Sequence, residues 1–377
     1  MNPMNPPKNS QDLNTTSSGP EGYTERFETG KDLGLSRMRE AFARAMHQSS
    51  GLSYEFRIVL AGRQTHFRLL GQRLRTCMEV PFRHLQVGAT PSVPPALTID
   101  IWDAAECGID CKLGSDRNDL DQHPILKKSD DGRFFSYQLQ HSLICLDRTD
   151  NAMVGKVSSA EALSLYQLGR PLHVPLSLWH KSQGIPLIHA GLVSKDRRGA
   201  IMVGAGGSGK STCAITCALA GFNYLSDDLV GLEITGDSNY IGHSLYNSTY
   251  LEPDHLERFP SLKVRALPCK YPYEKKPLVL LSQVPTIEFM SACRIHAILL
   301  PRVTANPTSS FREVSRGEAL LALAPTSLLV GDRSSGREGF EKLASLVEGA
   351  PCYRLEIGTR LSDIPRAVAN VLATSQP

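Results

Sequence analysis

No stretch of this chain approaches the roughly 20 consecutive apolar residues that a membrane-crossing helix needs, so no helical span is expected. Charge of one sign is equally scarce. Forty-one Lys and Arg against 38 Asp and Glu leave a net charge of +3, far from the basic excess that advertises nucleic-acid or anionic-surface binding. Neither nucleic acid nor membrane is therefore expected as a partner. The opening MNPMNPPKNSQDLNTTSSGPEG lacks the basic start and apolar stretch of a secretory signal, and the expected location is the cytoplasm. The Cys-x-x-Cys spacing of zinc and redox motifs is missing too. The nearest cysteine pairs, Cys107/Cys111 and Cys213/Cys217, have three residues between them, so the nine cysteines are expected to be buried reduced thiols.

What is present is the composition of a globular protein, 41% hydrophobic and 21% charged, in a chain of 377 residues, long enough for two or three domains. Residues 1–30 are rich in Asn, Pro, Ser, Thr and Gly and are expected to form a disordered tail. Residues 31–180 read as a β-rich domain with a connecting helix. A helix is predicted from Leu35 to Ala45, and strands from Tyr54 to Leu60 and Thr65 to Leu70 flank a turn at Ala61-Gly62-Arg63. A helix over Gly71–Leu85 is interrupted by Pro81. Further strands are predicted at Leu97–Trp102, Phe134–Leu139 and Ser142–Leu146. Trp102 and Asp103 are expected to pack at a strand end rather than bind a ligand. Residues 158–180 read as helical, with Pro171 and Pro175 breaking the end.

Residues 181–377 carry the chemistry. Ala200–Val203 is a buried strand, Gly204-Ala-Gly-Gly-Ser-Gly-Lys210 a glycine-rich loop, and Ser211–Ala220 a helix stopped by Gly221. In this strand–loop–helix context G-x-x-x-x-G-K-S is a phosphate-binding loop. Gly204, Ala205, Gly206, Gly207, Ser208 and Gly209 let the backbone wrap an anion at a helix N-terminus. Lys210 is placed to reach the β- and γ-phosphates of ATP, and Ser211, beside Thr212, to hold Mg²⁺. After the helix, Phe222-Asn-Tyr-Leu-Ser-Asp-Asp228 reads as a strand ending in two carboxylates, one suited to the metal and one to taking a hydroxyl proton. Leu187–Ser194 and Ala200–Val203 form a predicted hairpin about the turn 195–199, which sets His189 opposite position 205 at the mouth of the loop. Loop, hairpin and carboxylates all follow residue 180, so the nucleotide site is expected to assemble from the second domain.

The block His189-Ala-Gly-Leu-Val, Gly204 to Ser211, and Gly221 to Asp228 resembles the catalytic domain of HPr kinase/phosphorylase. That family has a His fifteen residues before the first loop glycine and an Asp-Asp pair starting seventeen residues after the loop Lys, as here. The resemblance implies an α/β fold, a P-loop mixed-sheet kinase domain of the HPr kinase/PEP carboxykinase type, and a serine hydroxyl as phosphoryl acceptor. It implies that Asp227 takes the proton, Asp228 helps hold the metal and His189 lines the phosphoryl site, with the two Asp roles interchangeable. It leaves a homo-oligomer open.

Downstream, the family's glycine-rich segment with a catalytic Glu is replaced by Ile241-Gly-His-Ser-Leu-Tyr-Asn-Ser-Thr-Tyr-Leu251, and its late Pro/Arg loop is represented at most by Leu300-Pro-Arg302. Ile101-Trp-Asp103, Tyr224–Asp228, His243–Tyr246, Tyr273–Lys276 and Ile298–Arg302 look more like the HPr-kinase-like proteins of peptide natural product clusters, lasso peptide kinases included. Lys275, Lys276 and Arg302 are candidates to neutralise phosphate charge. The expected function is ATP- and Mg²⁺-dependent phosphorylation of a Ser or Thr on a peptide or small protein. The alternatives are a serine kinase of HPr in carbohydrate regulation and an ATPase switch without a phosphorylated product.

Overall fold

The computed structural model describes residues 17–18, 24–27, 32–88, 94–113, 118–236, 239–327 and 336–375. Over these residues the chain is a mixed α/β protein built on two ten-stranded mixed sheets.

In the first sheet, Phe134–Leu139, Ser142–Asp147 and Ala152–Val157 run antiparallel in sequence. Ala152–Val157 then pairs in parallel with Leu97–Asp103, and that strand in parallel with Arg63–Leu70. Ser53–Leu60 closes a hairpin onto Arg63–Leu70 through Ala61 (φ 46°) and Gly62 (φ 74°). Two consecutive left-handed residues make the tight turn that matches strand twist, so the second strand starts at Arg63, two residues earlier than its sequence suggests. Ala152–Val157 is central yet unpredicted. Its Gly155 reads as a breaker, but a Cβ there would meet Ile144 Cδ1 at 2.2 Å, so close packing requires the glycine.

The helix Leu35–Gln48 buries Leu35, Met38, Ala41, Phe42 and Ala45 at three- and four-residue intervals. Gln72–Glu79 gives way to a 3-10 turn, Val80–Leu85, at Pro81. The expected disordered tail is corrected at Thr24–Phe27, which pairs in parallel with Ile125–Lys128. Hydrogen bonding along an open sheet edge needs no apolar side chains. Apart from this strand and Ser17–Ser18, the expected tail lies outside the described residues. The single helix over 158–180 is also corrected. It is a 3-10 turn, Ala160–Ala162, and two helices, Leu165–Gly169 and His173–Ser182. The chain bends at Leu172 (φ 60°), while Pro175 sits in the first turn of the last helix, where its missing N–H has no intrahelical partner to lose.

The second sheet runs, in spatial order, Leu187–His189, Leu229–Ile234, Tyr240–His243, Ala292–Val303, Arg198–Met202, Gly191–Lys195, Asn223–Ser226 and Glu288–Phe289, with Cys352–Ile357 along the far half of Ala292–Val303. Alternate residues serve opposite faces. Ala200 and Met202 pack with the helices Lys210–Leu219 and Asp363–Thr374, whereas Ile201 and Val203 pack with Ala319, Leu323, Leu343 and Leu346. The two sheets share a core. One cluster of buried side chains runs from Ile58, Phe67 and Ile99 through Leu176 and Trp179 to Leu187, Leu229, Leu245 and Tyr246, and a division at residue 180 would cut through it. All nine cysteines are free thiols; Cys269 is exposed and Cys77 half-buried, and the other seven are buried. Among the described residues, no helix is long and apolar enough to cross a membrane.

Candidate active site

The strand Arg198–Met202 delivers the chain to Gly204, and the helix Lys210–Leu219 begins at the far end of the loop. Gly209, its N-cap, has φ 105°, and a Cβ there would lie 2.4 Å from Ile357 Cδ1. Backbone conformation and contact therefore both demand glycine at the point where the helix starts. The first amides of the helix have no intrahelical acceptor and point their partial positive charge into the loop. Lys210 is buried, and its Nζ donates to the carbonyl oxygens of Gly204 (2.6 Å) and Ala205 (3.2 Å). Burial pushes its pKa below the ordinary lysine value, against the pull of Asp228 and Asp227.

The loop forms one side of a cavity of about 410 Å³, which also receives His189, Asp227 and Asp228. Asp227 is 2% exposed and held by hydroxyls: Tyr224 Oη donates to Oδ1 (3.0 Å), Thr249 Oγ1 to Oδ2 (2.6 Å), and the Ser211 side chain bonds it as well. Asp228 pairs with charged or chargeable partners, Arg170 Nη1 at 2.6 Å on Oδ2 and His189 Nδ1 at 3.3 Å on Oδ1. Environment splits the two carboxylates. Burial, reinforced by the neighbouring Asp228 charge, raises the Asp227 pKa. Burial pushes Asp228 up as well, but Arg170, His189, His173 and Lys210 outweigh it and hold it below the ordinary carboxylate value. Asp228 is thus ionised at neutral pH. Burial lowers the His189 pKa against the attraction of Asp228.

His189 reaches this cavity by a route the hairpin reading did not foresee. The hairpin itself forms, Gly191 opposite Met202 and Lys195 opposite Arg198, around Asp196 and Arg197, both with positive φ. The strand breaks at Ala190, whose N–H donates to the Asp228 carbonyl (2.9 Å). Leu187–His189 pairs instead with Leu229–Ile234, putting His189 opposite Leu229 rather than position 205. The residue therefore meets the carboxylates through the strand that follows them.

Several cavity residues carry no motif in the sequence, Leu251 and His255 among them. Tyr166 and Arg170, from the connector before residue 181, line it, as do Tyr250 and Glu252. The Arg170 guanidinium lies 4.5 Å from the centre of the Tyr250 ring, so ion pair and aromatic face together fix it. The nucleotide site expected from the second domain alone thus has two walls contributed from outside it. Lys276 sits on the cavity rim, 3.1 Å from Glu252, while Lys275 lines an adjoining groove. Arg302 is exposed at the end of its strand and does not line the cavity.

No protein-family model matches the chain, and no curated protein matches it. Among solved structures, the HPr(Ser) kinase/phosphatase from Coxiella burnetii aligns with 49% of this chain and 95% of its own, at 11% identity and a TM-score of 0.25. A score of that size does not establish a common fold.

Proposed function

We propose that the protein is a phosphotransferase that moves the γ-phosphoryl group of ATP to a Ser or Thr hydroxyl. The observation that carries this reading is the single cavity in which a glycine loop, Lys210 and Ser211 at a helix N-terminus face two carboxylates of opposite electrostatic character. The residues present fit a nucleoside triphosphate with its metal. Ser208 Oγ is buried with no partner of its own, Gly206 and Gly207 face open space, and Ser211 is already bonded to a carboxylate. Mg²⁺, when bound, neutralises charge between the phosphates. Ser211 and Asp227 would hold it, since the hydroxyl and the buried carboxylate form one unit.

Asp228 is then the acceptor-side group. It is ionised, it lines the cavity, and it can take the hydroxyl proton as the acceptor oxygen bonds to the γ-phosphorus and the bond from that phosphorus to the bridging oxygen breaks, releasing ADP. Arg170 keeps it charged, His189 orients its other oxygen, and Lys210 offers a positive charge to the phosphate. This order of roles reverses the one that the family resemblance implies first. For the acceptor we propose a short peptide of the kind matured into a lasso peptide or a similar ribosomal product. The support for it is the short segments around Trp102, Tyr224, Tyr246, Tyr273 and Leu300. The test is incubation of the full chain with Mg²⁺ and γ-labelled ATP, together with HPr or a lasso precursor peptide. Label on a peptide Ser or Thr is expected. Label on HPr alone would replace the acceptor, and ATP hydrolysis with no labelled product would replace the kinase by a switch.

A further inference from the structure

Three of the described residues that line the catalytic cavity are lysine or arginine, and two of them are already held. Arg170 is bound to Asp228 and seated on the Tyr250 ring. Lys210 is buried against the loop carbonyls and is the cation of the glycine loop itself. The third, Lys276, has one partner among the described residues, Glu252, with Nζ 3.1 Å from Oε1 and the two side chains 47% and 54% exposed. We propose that Lys276 is a second phosphate-binding group for the nucleotide and that Glu252 holds it in reserve: as the triphosphate enters, Nζ leaves the carboxylate for a phosphate oxygen. The inference rests on the phosphate-loop reading above and gives a role to another wall of the same cavity.

The two side chains can part because of how each is held. Glu252 is the N-cap of the helix Pro253–Leu256, yet its carboxylate accepts no cap hydrogen bond, so nothing in that helix competes with Lys276 for it. An ion pair this exposed contributes little to stability, because water solvates both groups well. The pair is a resting place for the ammonium. The backbone that carries Lys276 is, by contrast, fastened. Leu267 and Leu278 exchange backbone hydrogen bonds (2.8 and 3.1 Å) and close residues 268–277 into a loop. Within it Glu274 accepts from the amides of Lys270 (2.6 Å) and Tyr271 (2.9 Å), and also from the Leu165 amide (2.5 Å) of the connector. Exchange therefore needs only rotation along the flexible lysine stem. Its direction follows from charge. A triphosphate keeps a net negative charge on several oxygens after it binds Mg²⁺, and so competes favourably with one exposed carboxylate. The ammonium already acts on the loop: burial lowers the Lys210 pKa, and repulsion by Lys276 lowers it further.

The test is calorimetric titration of the full-length protein with Mg-ATP at roughly 0.15 M ionic strength, where exposed charges more than about 8 Å apart are largely screened. Lys276→Met should weaken binding about tenfold, the scale of a charge-assisted hydrogen bond. Glu252→Gln should tighten it by about twofold to fivefold, the range of an exposed ion pair, and should lose most of that gain in the Lys276→Met background. Both side chains are half-exposed, so these variants are expected to melt with the wild type. Unchanged affinity in Lys276→Met, no gain in Glu252→Gln, or a gain that Lys276→Met does not at least halve overturns the proposal. Lys210→Ala separates that failure from failure of the loop reading. If Lys210→Ala loses Mg-ATP and Lys276→Met does not, the loop stands and the reserve cation falls. If Lys210→Ala binds as tightly as the wild type, or the wild type does not bind, both fall.

Discussion

The strands Leu97–Asp103 and Asn223–Ser226, one in each sheet, both run into a buried carboxylate, Asp103 and Asp227, and only the second lines the cavity beside the glycine loop. At the end of Leu97–Asp103, Trp102 is fully buried with Nε1 donating to the Ile109 carbonyl (2.8 Å). Asp103 accepts from the amides of Ala105 (2.9 Å), Glu106 (3.1 Å) and Ala160 (2.7 Å). All three donors are backbone, so the carboxylate caps the helix Ala104–Cys107 and ties the following turn to it. At the end of Asn223–Ser226 the donors are side chains: hydroxyls on Asp227, a guanidinium and an imidazole on Asp228, with a cavity beside both. Burial alone does not mark function. Partners that can change with ligand or protonation, next to space for a ligand, do.

The largest test of that contrast removes one region. A chain starting at residue 181 loses Tyr166 and Arg170 and uncovers Leu187, Leu229, Leu245 and Tyr246, each at most 5% exposed. At roughly 1.5–3 kcal/mol per large apolar side chain, that loss is comparable with the whole stability of a domain, about 5–15 kcal/mol. Loss of ATP binding and acceptor use together is expected, with no cooperative thermal transition. A truncated chain that melts cooperatively and binds ATP would show that the site belongs to the second sheet alone.

Within the site the two carboxylates should separate. Asp228→Asn keeps the shape but cannot take a proton, and a base is typically worth ~10²- to 10⁴-fold, so transfer should fall by that factor while ATP still binds. Asp227→Asn should show itself in stability and in the Mg²⁺ concentration needed for ATP binding, because an amide cannot accept from all of Tyr224, Thr249 and Ser211. Labelled-ATP turnover alongside calorimetric titration with Mg²⁺ distinguishes the two patterns; the reverse assignment would exchange them. Lys210→Ala should lower turnover by about 10²- to 10³-fold, the usual cost of removing one charge-stabilising group, with far-UV circular dichroism unchanged. A wild-type rate in that variant would end the phosphate-loop reading.

How much of this could be read in advance follows from the range of each interaction. Gly204 to Thr212 and the Asp227–Asp228 pair are legible because the chemistry lies in consecutive residues, and Gly209 needs only its own backbone and one neighbour. Arg170 and Tyr166 precede the aspartates by about 60 residues and have no motif, since packing against Tyr250 brings them in. His189 lies in the cavity, but its partner strand depends on a break at Ala190 that the hairpin pattern does not show. Ala152–Val157 was illegible because the glycine that its packing requires is also the residue that signals a break.

The smallest expected effect tests the other strand end. Asp103→Asn retains one carbonyl oxygen, which can still cap Ala105 and Glu106, as asparagine does at helix starts. Its amide NH₂ would then face the Ala160 N–H, donor against donor, in a buried position where Asp103 is 1% exposed. Losing one buried hydrogen bond while leaving its donor unsatisfied costs about 1–3 kcal/mol. A fall of a few degrees in Tm is expected, with phosphoryl transfer per folded molecule unchanged, since no partner of Asp103 lines the cavity. The measurement is a thermal melt together with turnover normalised to the folded fraction. If turnover fell as it does for Asp228→Asn, the two strand ends would belong to one catalytic unit, and the distinction between backbone-held and side-chain-held carboxylates would not separate structure from site.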